Sequence, residues 1–465
     1  MKKNILFLFG IATQLVAFSQ GLTFYHMRNV IPQGNHFSAT AFPNANSYVS
    51  IPALNFNVSA SNSFNFNDVG TIGDTSLILD LDKFLDETKE DDFFQTGVII
   101  NGLNIGFKSG EKSHMQIFSN LKFRGSFGYP KRLMSWVVKG NRDAAHVGQD
   151  YKIDDFGLNT VTFGEFGIGY MRDVKIAGLD FRFGTRIKYL MGLSYIGSDE
   201  NPEIYINTDA NTSNMKIWSN ATKFNMVGRQ LMEDGEDQIE ALDLISGKNS
   251  GFGLDLSAEW NVNEKLNISW AVNDIGSINW KENVEVISYR LDTIFIDGAG
   301  FERPDNTPDN VEYSFSTALG DTLEARFDDP ISGDTLSGSS FRTGIGARSF
   351  LSATYEVIPN GKLSVSISNY SVLGDLRTAY GVGYTHELGN VLALSATVSK
   401  LPKRSPSLGA GFKLQLGAFQ IYAAGEGLLG LIDLKTLQRL DVWAGINLQF
   451  GNPRKKKEQE GISVD

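Results

Sequence analysis

The sequence predicts an all-β protein, a transmembrane antiparallel β-barrel of about fourteen strands with short turns at one end and long loops at the other. Three observations carry this. Apolar and polar residues alternate with a period of two, over segments of roughly the length that a tilted strand needs to cross a bilayer. The connections between those segments alternate between short and long along the whole chain. After the first twenty residues, no apolar run approaches the length of a membrane-spanning helix.

Composition agrees with this class. At 465 residues the chain is long enough for several soluble domains, but a large barrel with long loops forms one domain at this size. A mean hydropathy of -0.16 is compatible with a barrel, because the lumen, loops and turns are polar and only alternate strand residues meet lipid. The net charge of -11 argues against a nucleic-acid partner. The absence of cysteine excludes disulfides, cysteine-ligated zinc, thiol catalysis and a lipid-anchoring cysteine. The 48 glycines, 32 phenylalanines and 15 tyrosines suit small lumen positions and aromatic girdles.

Residues 1–19 have the layout of an export signal. Lys2 and Lys3 precede an apolar stretch, and Ala17-Phe18-Ser19 places small residues at the cleavage positions. Residues 20–49 contain Pro32 and Pro43 and show no alternation, so they form an irregular segment placed in the periplasm or the barrel lumen. The run Gln20-Gly21-Leu22-Thr23-Phe24-Tyr25-His26-Met27-Arg28-Asn29-Val30-Ile31-Pro32-Gln33 resembles the start of an uncharacterised family of outer-membrane barrels from Bacteroidota, a domain of unknown function. Asn273-Asp274-Ile275-Gly276-Ser277-Ile278-Asn279-Trp280 resembles a second segment of that family. The implied architecture is similar to that of outer-membrane fatty-acid transporters and of the shuttle barrel of type 9 secretion.

The barrel is expected over residues 50–450, followed by a periplasmic tail at 451–465. Its alternating segments are 50–61, 97–107, 113–127, 161–172, 177–191, 251–262, 265–275, 341–357, 362–370, 377–387, 390–400, 407–416, 418–426 and 439–450. Tight turns are expected at 109–112, 173–176, 263–264, 358–360, 388–389 and 417. Longer loops are expected at 62–96, 128–160, 192–250, 276–340, 371–376, 401–406 and 427–438, with a short amphipathic helix over 75–92 in the first. Short turns on the periplasmic side and long loops outside leave both termini in the periplasm of an outer-membrane protein.

The faces follow from parity. In 177–191, Leu179, Phe181, Phe183, Ile187 and Tyr189 would meet lipid while Asp180, Arg182, Gly184, Arg186 and Lys188 point inward. A charge at the lipid midplane costs about 2 to 4 kcal/mol, which decides the orientation. In the final strand, Leu440, Val442, Ala444, Ile446, Leu448 and Phe450 share the outer face, with Trp443 inward beside Asp441. The expected lumen lining includes the basic residues Lys122, Arg124, Arg182, Arg186, Lys188, Arg342, Arg348 and Lys413. Facing them are Glu165, Asp180, Asp255, Glu259, Glu356 and Asp441, with Glu165 paired opposite Arg186.

No catalytic residue, cofactor site or metal site is expected. The five histidines lack metal-ligand spacing, no Gly-x-Ser-x-Gly occurs, and the recurring glycine pairs do not open helices. Asp80-Leu81-Asp82 lacks the glycine and closing glutamate of a calcium loop. The carboxylates Asp321, Asp328 and Asp329 read as a solvated acidic loop. Expected partners are outer-membrane lipid and the barrel-assembly machinery. The function expected first is passive transport of a hydrophobic or amphipathic small molecule. The alternative is a non-conducting barrel whose loops hold a surface or secretion protein.

Overall fold

The protein is described from a computed structural model. The structure describes residues 21–451 apart from 73–76, 141–142, 155, 199–201, 213, 221, 229–247, 290–293, 297–333, 338–339, 402–403, 429 and 431–433. The export signal, the basic tail and the carboxylates Asp321, Asp328 and Asp329 lie outside the described residues.

Fourteen antiparallel strands close into one barrel. In chain order they are β1 (Ser47–Ser50 and Phe56–Asn62), β2 (Phe93–Gly110), β3 (Ser113–Gly128), β4 (Gly157–Ile176) and β5 (Leu179–Ser198). Next come β6 (Ser250–Asn261), β7 (Leu266–Trp280), β8 (Phe341–Gly344 and Arg348–Ile358), β9 (Gly361–Val372) and β10 (Asp375–Leu388). The last four are β11 (Leu392–Lys400), β12 (Ser407–Leu416), β13 (Phe419–Glu426) and β14 (Arg439–Phe450). Closure is made by β14 against both pieces of β1, with Ser47 opposite Phe450 and Ser61 opposite Arg439. A closed wall leaves no edge strand with unpaired backbone groups, which is what a bilayer demands.

The period-two pattern becomes the two faces of this wall. Ile187 is 62% exposed on the outside while its neighbours Arg186 and Lys188 are buried inside. Phe252 is 70% exposed outside, whereas Asp255, Ser257 and Glu259 face inward and are buried. Two-residue turns join several hairpins. At Ala177-Gly178 both central residues have positive φ, 50° and 84°, so the turn twists with the strands it joins.

Four expectations are corrected. Leu373-Gly374 also takes positive φ at both positions, 49° and 94°, so 371–376 is a two-residue turn between β9 and β10 and the short–long alternation fails there. The helix expected over 75–92 is confined to α2, Leu81–Glu87. Asp80 caps it by accepting from Lys83 N at 3.0 Å, and the preceding Leu77–Leu79 is a strand. Glu165 lies opposite Leu190, and Arg186 opposite Gly169, so these two are four residues out of register. Arg342 points to the outer surface, where its Nε donates to Ser277 Oγ at 2.6 Å.

The fate of Arg342 has a local cause. The register of β6 with β7 slips between Leu254 and Leu256, and Asp274 sits there with φ of 60°. This bulge inverts the parity of β7, so Ile278 and Trp280 point inward and Asn279 outward. Arg342 is paired with Asn279 and follows it. Gly276 permits the kink, since a Cβ there would come within 2.3 Å of the Phe252 carbonyl oxygen. The break at 345–347 restores the parity of β8 before Arg348.

Residues 21–46 fill the lumen. They form a single helical turn, α1 (Leu22–His26), then a 3-10 turn (Pro32–His36), and reach the wall at Asn46, whose N–H donates to the Phe450 carbonyl at 2.9 Å. From Gly21 to Ala45 only Asn29 and Asn44 are exposed. All five residues of α1 are buried, so packing from every side, rather than an amphipathic stripe, holds it. At the loop end, a four-stranded sheet of Asp150–Ile153, Ile204–Thr208, Met215–Ser219 and Ile294–Ile296 lies outside the wall. Its own core includes Ile153, Ile206, Met215 and Ile217, with Leu133 and Trp136 of α3 (Lys131–Lys139) packed against it.

Candidate functional site

The plug of residues 21–46 meets the wall through two kinds of surface. Toward β8, β13 and β14 the interface is aromatic. Phe24 stacks on Trp443 with ring centroids 4.6 Å apart and planes 15° from parallel, and Tyr25 stacks on Phe350 at 4.9 Å and 15°. Phe37 meets Phe350 edge-on at 5.5 Å, a geometry favoured by the ring quadrupoles. The Tyr25 hydroxyl donates to Ser352 Oγ at 2.9 Å, and Arg28 lies over the Tyr25 ring while donating to Ser269 Oγ at 2.9 Å.

Toward β2 to β7 the wall is charged. Lys188 Nζ lies 2.5 Å from Asp274, 2.7 Å from Asp255 and 3.7 Å from Glu165. Lys122 Nζ bridges Glu165 at 3.0 Å and Asp274 at 3.2 Å, and Arg124 reaches Asp274 at 2.6 Å. Arg186 pairs with Asp255 at 3.1 Å and stacks over Phe118 at 3.7 Å. Every one of these charged side chains is at most 4% exposed.

In this cluster Lys122, Arg124, Arg186, Lys188 and Arg348 share three carboxylates, Glu165, Asp255 and Asp274. Plug carbonyls take up part of the excess donor capacity. Arg186 donates to Asn35 O at 2.7 Å and Arg348 to His36 O at 3.3 Å. Buried donors need acceptors, so the docked plug and the charged wall complete each other.

Further hydrogen bonds add register. Gln33 Nε2 donates to Ser50 Oγ at 2.8 Å and to Asn447 Oδ1 at 2.9 Å, and Asn447 returns a bond to Gln33 at 3.0 Å. Ala39 N donates to Ser257 at 2.8 Å, Thr40 to Glu259 at 2.9 Å, and Thr23 N to Glu426 at 2.7 Å. The wall is pared back to admit the plug. A Cβ on Gly184 would sit 2.4 Å from Ala39 O, and one on Gly409 would sit 2.0 Å from Thr23 Oγ1. His26 on α1 is held neutral, burial and then the nearby Arg28 pushing its pKa down to about 3.

Of the residues expected in the lumen, Lys122, Arg124, Glu165, Arg186, Lys188, Asp255 and Arg348 are in the charged cluster. Glu259, Asp441 and Trp443 touch the plug or its upper end, Gly21 being buried beside Trp443 and Asp441. Lys413 is buried toward the turn end and donates to Asn390 O at 3.0 Å. Arg182 is half-buried and bonds Asp173 through two nitrogens, while Asp180 is exposed on the rim beside Lys175. Glu356, half-buried, accepts from Asn360 N in its own turn. Sequence reasoning missed Asp274, Glu426 and Arg439. Asn273-Asp274-Ile275-Gly276, a turn-like tetrad inside an alternating strand, was the signal for the first.

A family model matches residues 40–425, most of the barrel. The chain belongs to DUF5723, a family of unknown function. No curated protein matches the sequence. Among solved structures, this DUF5723 barrel is similar to a Pseudomonas aeruginosa FadL homologue, at 11% identity over 94% of this chain and 100% of that one, with a TM-score of 0.43. It is also similar to the Ralstonia pickettii toluene transporter TbuX, at 8% identity over 94% and 96% of the two chains and a TM-score of 0.40. A third is the Pseudomonas putida toluene transporter TodX, at 8% identity over 94% of each chain and a TM-score of 0.38. At these scores nothing about substrate or mechanism follows from the likeness.

Proposed function

We propose that the chain is an outer-membrane barrel that passes a hydrophobic or amphipathic small molecule across the membrane, with residues 21–46 as its internal gate. One observation carries this reading: a single continuous segment fills the lumen, and among the described residues its first backbone-to-backbone hydrogen bond to the wall is at Asn46. A barrel whose lumen served only as a rigid core would have no need of a separate segment. The apolar outer face, with Ile187 and Phe252 exposed, supports placement in a bilayer. In this reading the turn end faces the periplasm and the loop end faces outward, and assembly depends on the barrel-assembly machinery.

The test is uptake by liposomes holding the purified barrel, using a hydrophobic dye and a neutral sugar of similar size. Entry of the dye, increased when residues 21–46 are deleted from a chain that still closes, supports transport. Equal impermeability of both forms to both solutes overturns it.

A second reading is favoured by the four-stranded sheet at the loop end, which has its own buried core and is far more than a strand connection requires. In it the barrel is an anchor and this sheet holds a surface or secretion protein. Crosslinking on intact cells through residues of 204–219 tests it, and recovery of uncrosslinked barrel alone rejects it.

A further inference from the structure

Three arginines gather at the loop end of the barrel around Phe93 and Tyr370. Arg377 pairs with Asp91 at 3.0 Å and Asp375 at 2.9 Å. Arg439 pairs with Glu426 at 2.5 Å, with Asp441 at 3.9 Å. Arg404, in the connection between β11 and β12, has no such partner among the described residues. Its Nε donates to Asn62 O at 2.6 Å and its guanidinium lies 4.7 Å from the Phe93 ring centroid. Both terminal nitrogens, Nη1 and Nη2, are buried on a residue only 3% exposed, with no carboxylate within ion-pair distance among the described residues and the Tyr370 hydroxyl as a neighbour. The neighbouring Tyr370 hydroxyl is also buried and interacts directly with this guanidinium.

A guanidinium is always charged, and a buried charge without a counter-ion is costly. Asp92 feels this charge from beyond ion-pair distance, and water could satisfy the hydrogen bonds but would not supply a direct ion-pair partner. The site has room for more than a single water: a cleft of about 50 Å³ lies beside it, lined by Arg404, Pro406, Leu437 and Arg439 among others. The two terminal nitrogens carry four coplanar N–H groups, so with Tyr370 as a neighbour they still have donors to spare for the two oxygens of a carboxylate, the bidentate geometry for which arginine is suited. A single cation without an ion pair matches a monoanion better than a dianion.

We propose that Arg404, with Tyr370 beside it, forms a binding site for a carboxylate group at the loop end of the barrel. The site stands apart from the transport reading, since it can load whether or not the barrel conducts. The carboxylate belongs either to a free organic acid or to the end of a longer amphiphile.

The experiment is calorimetric titration of the folded full-length protein in detergent with benzoate, octanoate, inorganic phosphate and benzyl alcohol. Benzoate is expected to bind and phosphate to bind at least about tenfold more weakly, with benzyl alcohol failing. Arg404→Gln is expected to weaken benzoate by about tenfold or more. Arg404→Lys, which keeps the charge and loses the fork, is expected to weaken it similarly. Tyr370→Phe gives a smaller loss. Octanoate tighter than benzoate points to an amphiphile, and equal affinity to a free acid. Absence of benzoate binding, equal binding of benzyl alcohol or phosphate, or undiminished binding by Arg404→Gln overturns the site. Folding of each variant is checked by its heat-dependent shift in gel mobility. If Arg404→Gln does not close, Arg404→Lys and Tyr370→Phe carry the comparison. Liposome uptake is scored separately, so loss of transport with benzoate binding intact counts against the transport reading alone.

Discussion

Lys188 and Asp274 are 2.5 Å apart and 1% exposed, although their strands, β5 and β7, are separated in the wall by β6. The bulge that turns Asp274 inward is therefore what ties the charged cluster together, since the same carboxylate also receives Lys122 and Arg124. Replacing it leaves several buried cations short of a partner. Asp274→Ala is expected to destabilise the barrel by about 3–5 kcal/mol, the usual cost of breaking a buried pair from one side. Asp180→Ala, which removes a rim pair whose side chains are about 60% exposed, should change stability by no more than about 0.5 kcal/mol. Urea unfolding in detergent, followed by gel mobility, checks both. Equal effects would show that the cluster does not act as one.

Gly184 marks where the wall yields to the plug. A side chain there would strike the backbone at Ala39 and Thr40, with which no rotamer change can help. Gly184→Val is expected to leave the wall closed while displacing the plug locally. Protease cleavage within 21–46 should rise while heat-dependent mobility stays intact. Unchanged protection of the plug would contradict the close approach.

Much of this arrangement was legible in the sequence, because alternation fixes the face of a side chain as long as the strand stays regular. Ile187, Phe252, Lys188 and Trp443 all follow parity. What parity cannot see is a one-residue slip. The bulge at Asp274 brought in a carboxylate that alternation had no reason to choose and sent Arg342 to the outer surface. Register is similarly hidden, since Glu165 was on the right face but its partners, Lys122 and Lys188, depend on how far β4 slides along β3 and β5. Leu373-Gly374 was misjudged for a different reason: leucine at positive φ is uncommon, so the pair did not look like a two-residue turn. The plug pattern had no periodicity to read, because a segment buried on all sides presents no polar face.

The Phe24–Trp443 stack joins the plug to the closing strand. Each single alanine substitution removes a buried aromatic side chain and is expected to cost about 3–5 kcal/mol. A double-mutant cycle is expected to return a coupling of about 0.5–1.5 kcal/mol, the part that belongs to the stacked pair. Coupling near zero would mean that the two rings are packed independently by their other neighbours.

Acid should loosen the plug through His26. Undocked, its imidazole has the ordinary value near 6.5, while docked it is pushed down to about 3 by burial and by Arg28. Above about pH 6.5 both states are neutral, so docking does not depend on this group. Below it, the undocked histidine takes up a proton that the docked one refuses, and docking is progressively penalised until the pH approaches about 3. Protease accessibility of residues 21–46 is therefore expected to rise between pH 6 and 4 in the native chain. His26→Gln keeps a hydrogen-bonding side chain near Ser366 but cannot titrate, so it should reduce that rise, the remainder coming from His36, which burial and then Lys122 hold well below the ordinary histidine value. A rise of the same size in His26→Gln would assign the acid response to another group.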